Sequence, residues 1–234
     1  MSGDRPGAAY ATDRFGFLFL QLVVLFALTA VVEASQFLQV VQGVLVVVIV
    51  LTTLRAGGTT PRTLRMAVVV AVPLAVLVVV GSLSGRPNVT GLITISVGLV
   101  MAVGAAIIVR RIFEHERITL QQVIAALGAY LEIALVFAFI YGGVDAMTDA
   151  DLLNGSVGDG ANAGRTEFLY FSVVTITTLG YGDLTPGTDV ARTLAMVETL
   201  FGQIFLVVLV AYLVGSLGRR RPGFLESQDS SSSE

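Results

Sequence analysis

The stretch "TITTLGYGDLTP", Thr175–Pro186, holds the groups in this chain best placed for chemistry, and most of them are backbone carbonyls. Gly180 and Gly182 stand two residues apart, and glycine adopts positive φ at little steric cost. A regular strand points successive carbonyls to opposite sides, whereas backbone conformations that alternate would aim them all at one axis. Stacked carbonyl oxygens can replace the hydration shell of a cation. In such an arrangement Thr178 adds a hydroxyl at the inner end, and the Leu179 and Tyr181 side chains turn away to brace the strand. Asp183 then supplies negative charge at the mouth. The blander reading is a Gly-rich turn. Against it stand the apolar, aromatic "EFLYFSVVTITT" before the glycines, an apolar run on each side, and the acidic, turn-rich stretch Gly142–Thr166.

The rest of the chain must place this strand, and its composition says in what solvent. Of 234 residues 55% are hydrophobic and 13% charged, against about 25% charged in a soluble domain. A membrane span needs roughly 20 mainly apolar residues. Six runs qualify: Phe15–Val32, Phe37–Leu54, Leu64–Leu83, Val89–Val109, Leu120–Tyr141 and Val190–Leu217. The expected fold is an all-α membrane protein of six transmembrane helices, with a re-entrant helix and loop between the fifth and sixth. "EFLYFSVVTITT" is too short to cross, and irregular backbone at membrane depth survives only where protein or water covers it. The expected units are a cytoplasmic leader 1–14, a four-span module 15–111, a pore-forming unit 112–221 and a disordered cytoplasmic tail 222–234.

All 14 basic residues are arginine, and they fix the expected orientation. Arg55, Arg62 and Arg65 follow span two, Arg110, Arg111 and Arg117 follow span four, and Arg219–Arg221 follow the last. The positive-inside rule then puts both termini in the cytoplasm of a multi-pass plasma-membrane protein. "VEAS" weakly imitates a cleavage site after the first span, but that run is long for a secretory signal and its leader lacks net positive charge. The net charge of −3 argues against nucleic acid as a partner. With no cysteine and one histidine, His115, neither a thiolate nor a histidine metal cluster is expected. His115 lies between Glu114 and Glu116 and reads as solvated surface. No nucleophile, metal cluster or phosphate loop accompanies the carboxylates, so no enzyme activity and no cofactor is expected.

"TTLGYGD" resembles the signature of potassium channels, the pore-loop tetrameric cation channels. "EFLYFSVVTITTLGYGDLTP" is similar to their pore helix, filter and exit, and "VETLFGQIFLVVLVAYLVG" to the inner helix of small prokaryotic members. The resemblance covers roughly the last 100 residues and extends to the first four spans only in number. It implies that Thr178, Leu179, Gly180, Tyr181 and Gly182 form a selectivity filter in which carbonyls of Thr178–Tyr181 hold potassium. Leu179 stands where valine is commoner, and Tyr170 and Phe171 where relatives often carry tryptophan. One strand per chain implies a homotetramer in lipid, with potassium as the permeant ion.

Span four carries no arginine before Arg110, so a six-span channel without an arginine voltage sensor is expected. Gly202 falls where many relatives carry a hinge glycine; close packing on the pore helix is the other reading. Leu206, Val210 and Val214 recur on one face and could form an apolar gate. Glu132 and Glu198 lie inside spans, where bracing is expected ahead of a role in conduction or pH gating. A channel-like potassium transporter subunit and a membrane sensor remain the rival functions.

Overall fold

A computed structural model describes residues 18–29, 41, 43–49, 51–52, 86–113, 119–155 and 164–218. The leader, the third expected span, the tail, His115 and most link arginines fall outside them. The described helices are α1 (Leu18–Thr29), α2 (43–49), α3 (Pro87–Phe113), α4 (Leu120–Asp145), α5 (Arg165–Ile176) and α6 (Asp189–Gly218). Two short strands, β1 (Leu153–Asn154) and β2 (Thr185–Pro186), are the remaining elements among the described residues. The protein is thus mostly helical, and α3, α4 and α6 are each long and apolar enough to cross a membrane.

Local chemistry sets the helix starts. Pro87 opens α3, where a missing N–H costs nothing. Gln122 Oε1 accepts from the Thr119 N–H at 2.9 Å and closes the first turn of α4. Glu167 does the same for α5, accepting from the Gly164 N–H at 2.8 Å and placing negative charge at the helix N-terminus. Thr188 Oγ1 accepts from the Ala191 N–H at 3.2 Å and caps α6.

Small residues then let the spans approach. Gly91 on α3 meets Gly143 on α4 so closely that a Cβ on Gly91 would lie 2.5 Å from the Gly143 carbonyl oxygen. Farther along, Gly98 packs on Val136, so the two helices run antiparallel. One core cluster joins α1, α2, α3 and α4 through Leu22, Leu25, Ile49, Met101, Ala129 and Leu135. A second lies where the C-terminal end of α4 meets α5, bringing together Tyr141, Leu152, Phe168, Phe171, Leu184 and Ala191.

Candidate ion-conduction site

The site begins where α5 stops. The Thr177 N–H reaches the Val173 carbonyl and the Thr178 N–H reaches that of Thr175, so the last turn tightens. The Leu179 N–H then donates to the Val174 carbonyl at 2.9 Å, with the Gly180 N–H at 3.4 Å from the same oxygen. From there the backbone alternates in hand: φ is 58° at Thr178, 57° at Gly180 and 81° at Gly182, while Leu179 and Tyr181 keep negative φ. A Cβ on Gly180 or Gly182 would meet nothing within 4 Å in its own chain, so φ rather than space demands glycine there. Thr178 is the unexpected member, because a β-branched residue at positive φ is an outlier.

Side chains brace this strand from outside. The Tyr170 and Tyr181 rings stack with an interplanar angle of 4° and centroids 6.5 Å apart. The Tyr170 hydroxyl donates to Asp183 Oδ2 at 2.6 Å, and the Leu184 N–H donates to Oδ1 at 3.0 Å. The phenol hydrogen bond lowers the pKa of the Asp183 carboxyl from its ordinary value and so favours its charged form. Phe171 points the other way, into the core, edge-on to Tyr141 at 5.2 Å. At the C-terminal end of α5 the Tyr130 hydroxyl of α4 donates to the Ile176 carbonyl at 2.9 Å, and the Tyr130 ring stacks on Phe205 of α6.

Gly202 lies against that same point. A Cβ there would stand 2.5 Å from Ile176 Cγ1 and 3.0 Å from its carbonyl oxygen, so α6 packs tightly on α5 at this residue. Leu206 is half-buried, and Val210 and Val214 are exposed in the single chain. Leu179 and Tyr181 are likewise exposed. Glu132 and Glu198 are both fully buried. Glu198 touches Tyr141 and Ser172, whereas neither Glu132 oxygen has a hydrogen-bond partner.

Two features escaped the sequence reading. β1 pairs antiparallel with β2, with Leu153 opposite Pro186 and Asn154 opposite Thr185. The Gly187 N–H adds a bond to the Leu152 carbonyl at 2.8 Å. This clasp ties the outer loop to the exit of the strand so tightly that a Cβ on Gly155 would fall 2.0 Å from the Asp183 carbonyl oxygen. Gly155 itself has φ of 93°, and its place in "NGS" was the available signal. The second feature is Gln203, an exposed amide midway along α6, three residues before Leu206 and seven before Val210.

Comparison with known proteins bears on the same region. Residues 127–218, which contain most of α4 and all of α5, the alternating strand and α6, match the family model described as ion channel. A 45-residue stretch is 56% identical to a curated protein of Methanocaldococcus jannaschii named "Probable potassium channel protein 2". That stretch is 19% of this chain and spans 12% of the relative's length.

Proposed function

We infer that this chain, whose residues 127–218 match the ion-channel family model and which shares a 45-residue stretch with a probable potassium channel protein, forms a passive potassium-selective pore when four copies assemble around one axis. The observation that carries the reading is the alternation of positive φ at Thr178, Gly180 and Gly182. Four such strands would stack carbonyls of Thr178, Leu179, Gly180 and Tyr181, with Gly182 at the outer turn, into rings that exchange for the water around potassium. The Thr178 hydroxyl would add an inner ring, and Asp183 would concentrate cations at the mouth. In this arrangement α5 enters partway from the outside and the filter returns there. The C-terminal end of α5 then lies at the inner end of the filter, where its partial negative charge favours a cation. Permeation makes and breaks no covalent bond.

The fit of α6 to the pore follows the same axis. Leu206, Val210 and Val214 would line the inner passage, where an apolar constriction can close by dewetting. Gln203 would face water above them, since an amide turned to lipid is costly. Gly202 serves first as a contact with α5, and any bending at this glycine must break that contact. The chain would sit in the plasma membrane as a multi-pass protein with both termini cytoplasmic. α3 holds arginines only near its C-terminal end, at Arg110 and Arg111, so opening should depend weakly on voltage.

Purified protein in liposomes tests the reading. Potassium and rubidium should pass, sodium should be excluded and barium should block. Equal sodium and potassium flux would refute it. A flux that follows a second ion or a gradient-coupled substrate would point to a transporter subunit, and the absence of any flux to a sensor.

A further inference from the structure

Behind the filter, three helices meet at one fully buried carboxyl. Glu198 of α6 accepts from the Tyr141 hydroxyl of α4 at Oε2, 2.8 Å away. Its Oε1 makes a short contact with Ser172 Oγ of α5. Ser172 Oγ also lies 2.8 Å from the Ala134 carbonyl oxygen of α4. All three side chains are fully buried, and among the described residues no cationic side chain pairs with Glu198.

The protons in this group can be counted. A serine hydroxyl carries one proton, so between two oxygens it can donate to one and accept from the other. The Ala134 carbonyl can only accept. If Ser172 donates there, Glu198 must supply the proton in the short contact, and only an un-ionised carboxyl can do so. The chain then runs in one direction: Tyr141 donates to Glu198, Glu198 to Ser172 and Ser172 to Ala134. Each hydroxyl proton has one acceptor, and no net charge is buried. The ionised alternative places an unpaired anion within the membrane, where partial pairing by hydroxyls does not offset its desolvation.

We propose that Glu198 is a neutral carboxylic acid that donates to Ser172 and so positions the pore helix α5, and with it the filter, against α4 and α6. Glu198 touches no permeant ion. It is a positioning residue acting through Ser172, which lies on the helix whose Val174 carbonyl anchors Leu179 and Gly180. The idea rests on the channel reading for its effect on flux, but the protonation state can be measured without flux.

The test compares the full-length protein with three variants in lipid at neutral pH, by infrared spectroscopy and by ion flux. Wild type should show carboxylic-acid carbonyl bands from both Glu198 and Glu132. The Glu198 band should lie at lower frequency, because Tyr141 donates to its carbonyl, and Glu198→Gln should remove that band alone. Glutamine keeps one donor for Ser172 and one acceptor for Tyr141, so Glu198→Gln should hold potassium flux and selectivity within about twofold of wild type. Glu198→Ala leaves Ser172 and Tyr141 without their partner and should cost about tenfold or more in potassium-over-sodium selectivity. Should the alanine variant fail to assemble, Tyr141→Phe serves in its place, because it should raise the frequency of the Glu198 band without abolishing it. The proposal is overturned if no acid band disappears in Glu198→Gln, if glutamine is as damaging as alanine, or if Tyr141→Phe leaves the band unmoved. Wild type that carries the Glu198 band but passes no ions would instead overturn the channel reading.

Discussion

α4 and α6 are both long apolar spans, yet 56% of the α4 span is buried within its own chain and only 11% of the α6 span. α4 is the post on which the subunit is built: α3, α5 and the second core cluster all pack on it. α6 touches its own chain along one narrow seam, Glu198, Gly202, Phe205, Leu209 and Tyr212, and leaves Leu200, Ile204, Val207 and Val210 bare. Seam positions spaced four, three, four and three residues apart are those of a helix that gives one stripe to its own subunit. In the proposed assembly the bare remainder would face lipid, a water-filled passage and other copies. The proposed filter shares that bareness, with Leu179 55% and Tyr181 66% exposed. One helix therefore organises the chain, and the other offers the surface that the proposed assembly would use.

Mutations can sharpen or break this contrast. The largest effect is expected in the bare region at Gly180→Ala. It should abolish selective potassium flux while leaving the subunit folded, because the penalty arises from φ of 57° at an exposed strand. A conducting variant with unchanged selectivity would mean that the filter is misassigned.

Next comes the buried post. At Gly143→Val a Cβ would lie 2.5 Å from Ile95 Cγ1 and 2.8 Å from the Gly91 carbonyl, so α3 and α4 must separate. Overpacking of this kind costs about 1–3 kcal/mol, and the expected readout is a lower thermal unfolding midpoint of the subunit itself. The mirror experiment is the pair Ile204→Ala and Val208→Ala on the bare face of α6. Subunit unfolding should hardly change, while chemical cross-linking should show fewer tetramers. Equal thermal damage from both sets would erase the distinction between the two helices.

The smallest effect is expected at the mouth. The Tyr170 hydroxyl keeps Asp183 ionised to lower pH than an ordinary aspartate. Its contribution to conduction should therefore be present above the usual aspartate value of about 3.9 and fade only as pH falls below it. Tyr170→Phe removes the donor and lets the carboxyl rise toward its ordinary value. Acid inhibition of potassium flux should then begin at higher pH than in wild type, a shift read from flux at stepped external pH. No shift would mean that the phenol does not control this charge.

Much of the bare half could be read from the sequence, because it depends on what individual residues permit. Two glycines spaced by one residue announce positive φ, and a length of about 12 apolar residues announces a helix too short to cross. Thr178 could not be read that way. Its β-branched side chain opposes positive φ, and the conformation is imposed by the bonds that Val174 accepts from the next two residues. Nor could the clasp, since two-residue strands have no periodicity to detect. Glu198 stood out as an expensive acid, but Tyr141 and Ser172, its partners, lie 57 and 26 residues away in sequence. Proximity of that kind follows from helix packing, not from spacing. Gly202 was legible as a special position, and the structure presses it against Ile176.

The clasp between β1 and β2 also makes the filter exit addressable by covalent chemistry. Asn154 and Thr185 are cross-strand partners, and the native sequence contains no cysteine. Antiparallel partners sit about 4.5–5.5 Å apart at Cα, within the range a disulfide spans. Cysteines at these two positions should therefore form a single, uncontested crosslink across the clasp. Oxidant would fasten the outer loop to the end of the filter and reductant would release it. The resulting change in potassium flux, followed on one preparation cycled between the two states, would measure how far the filter must loosen from its surroundings in order to conduct.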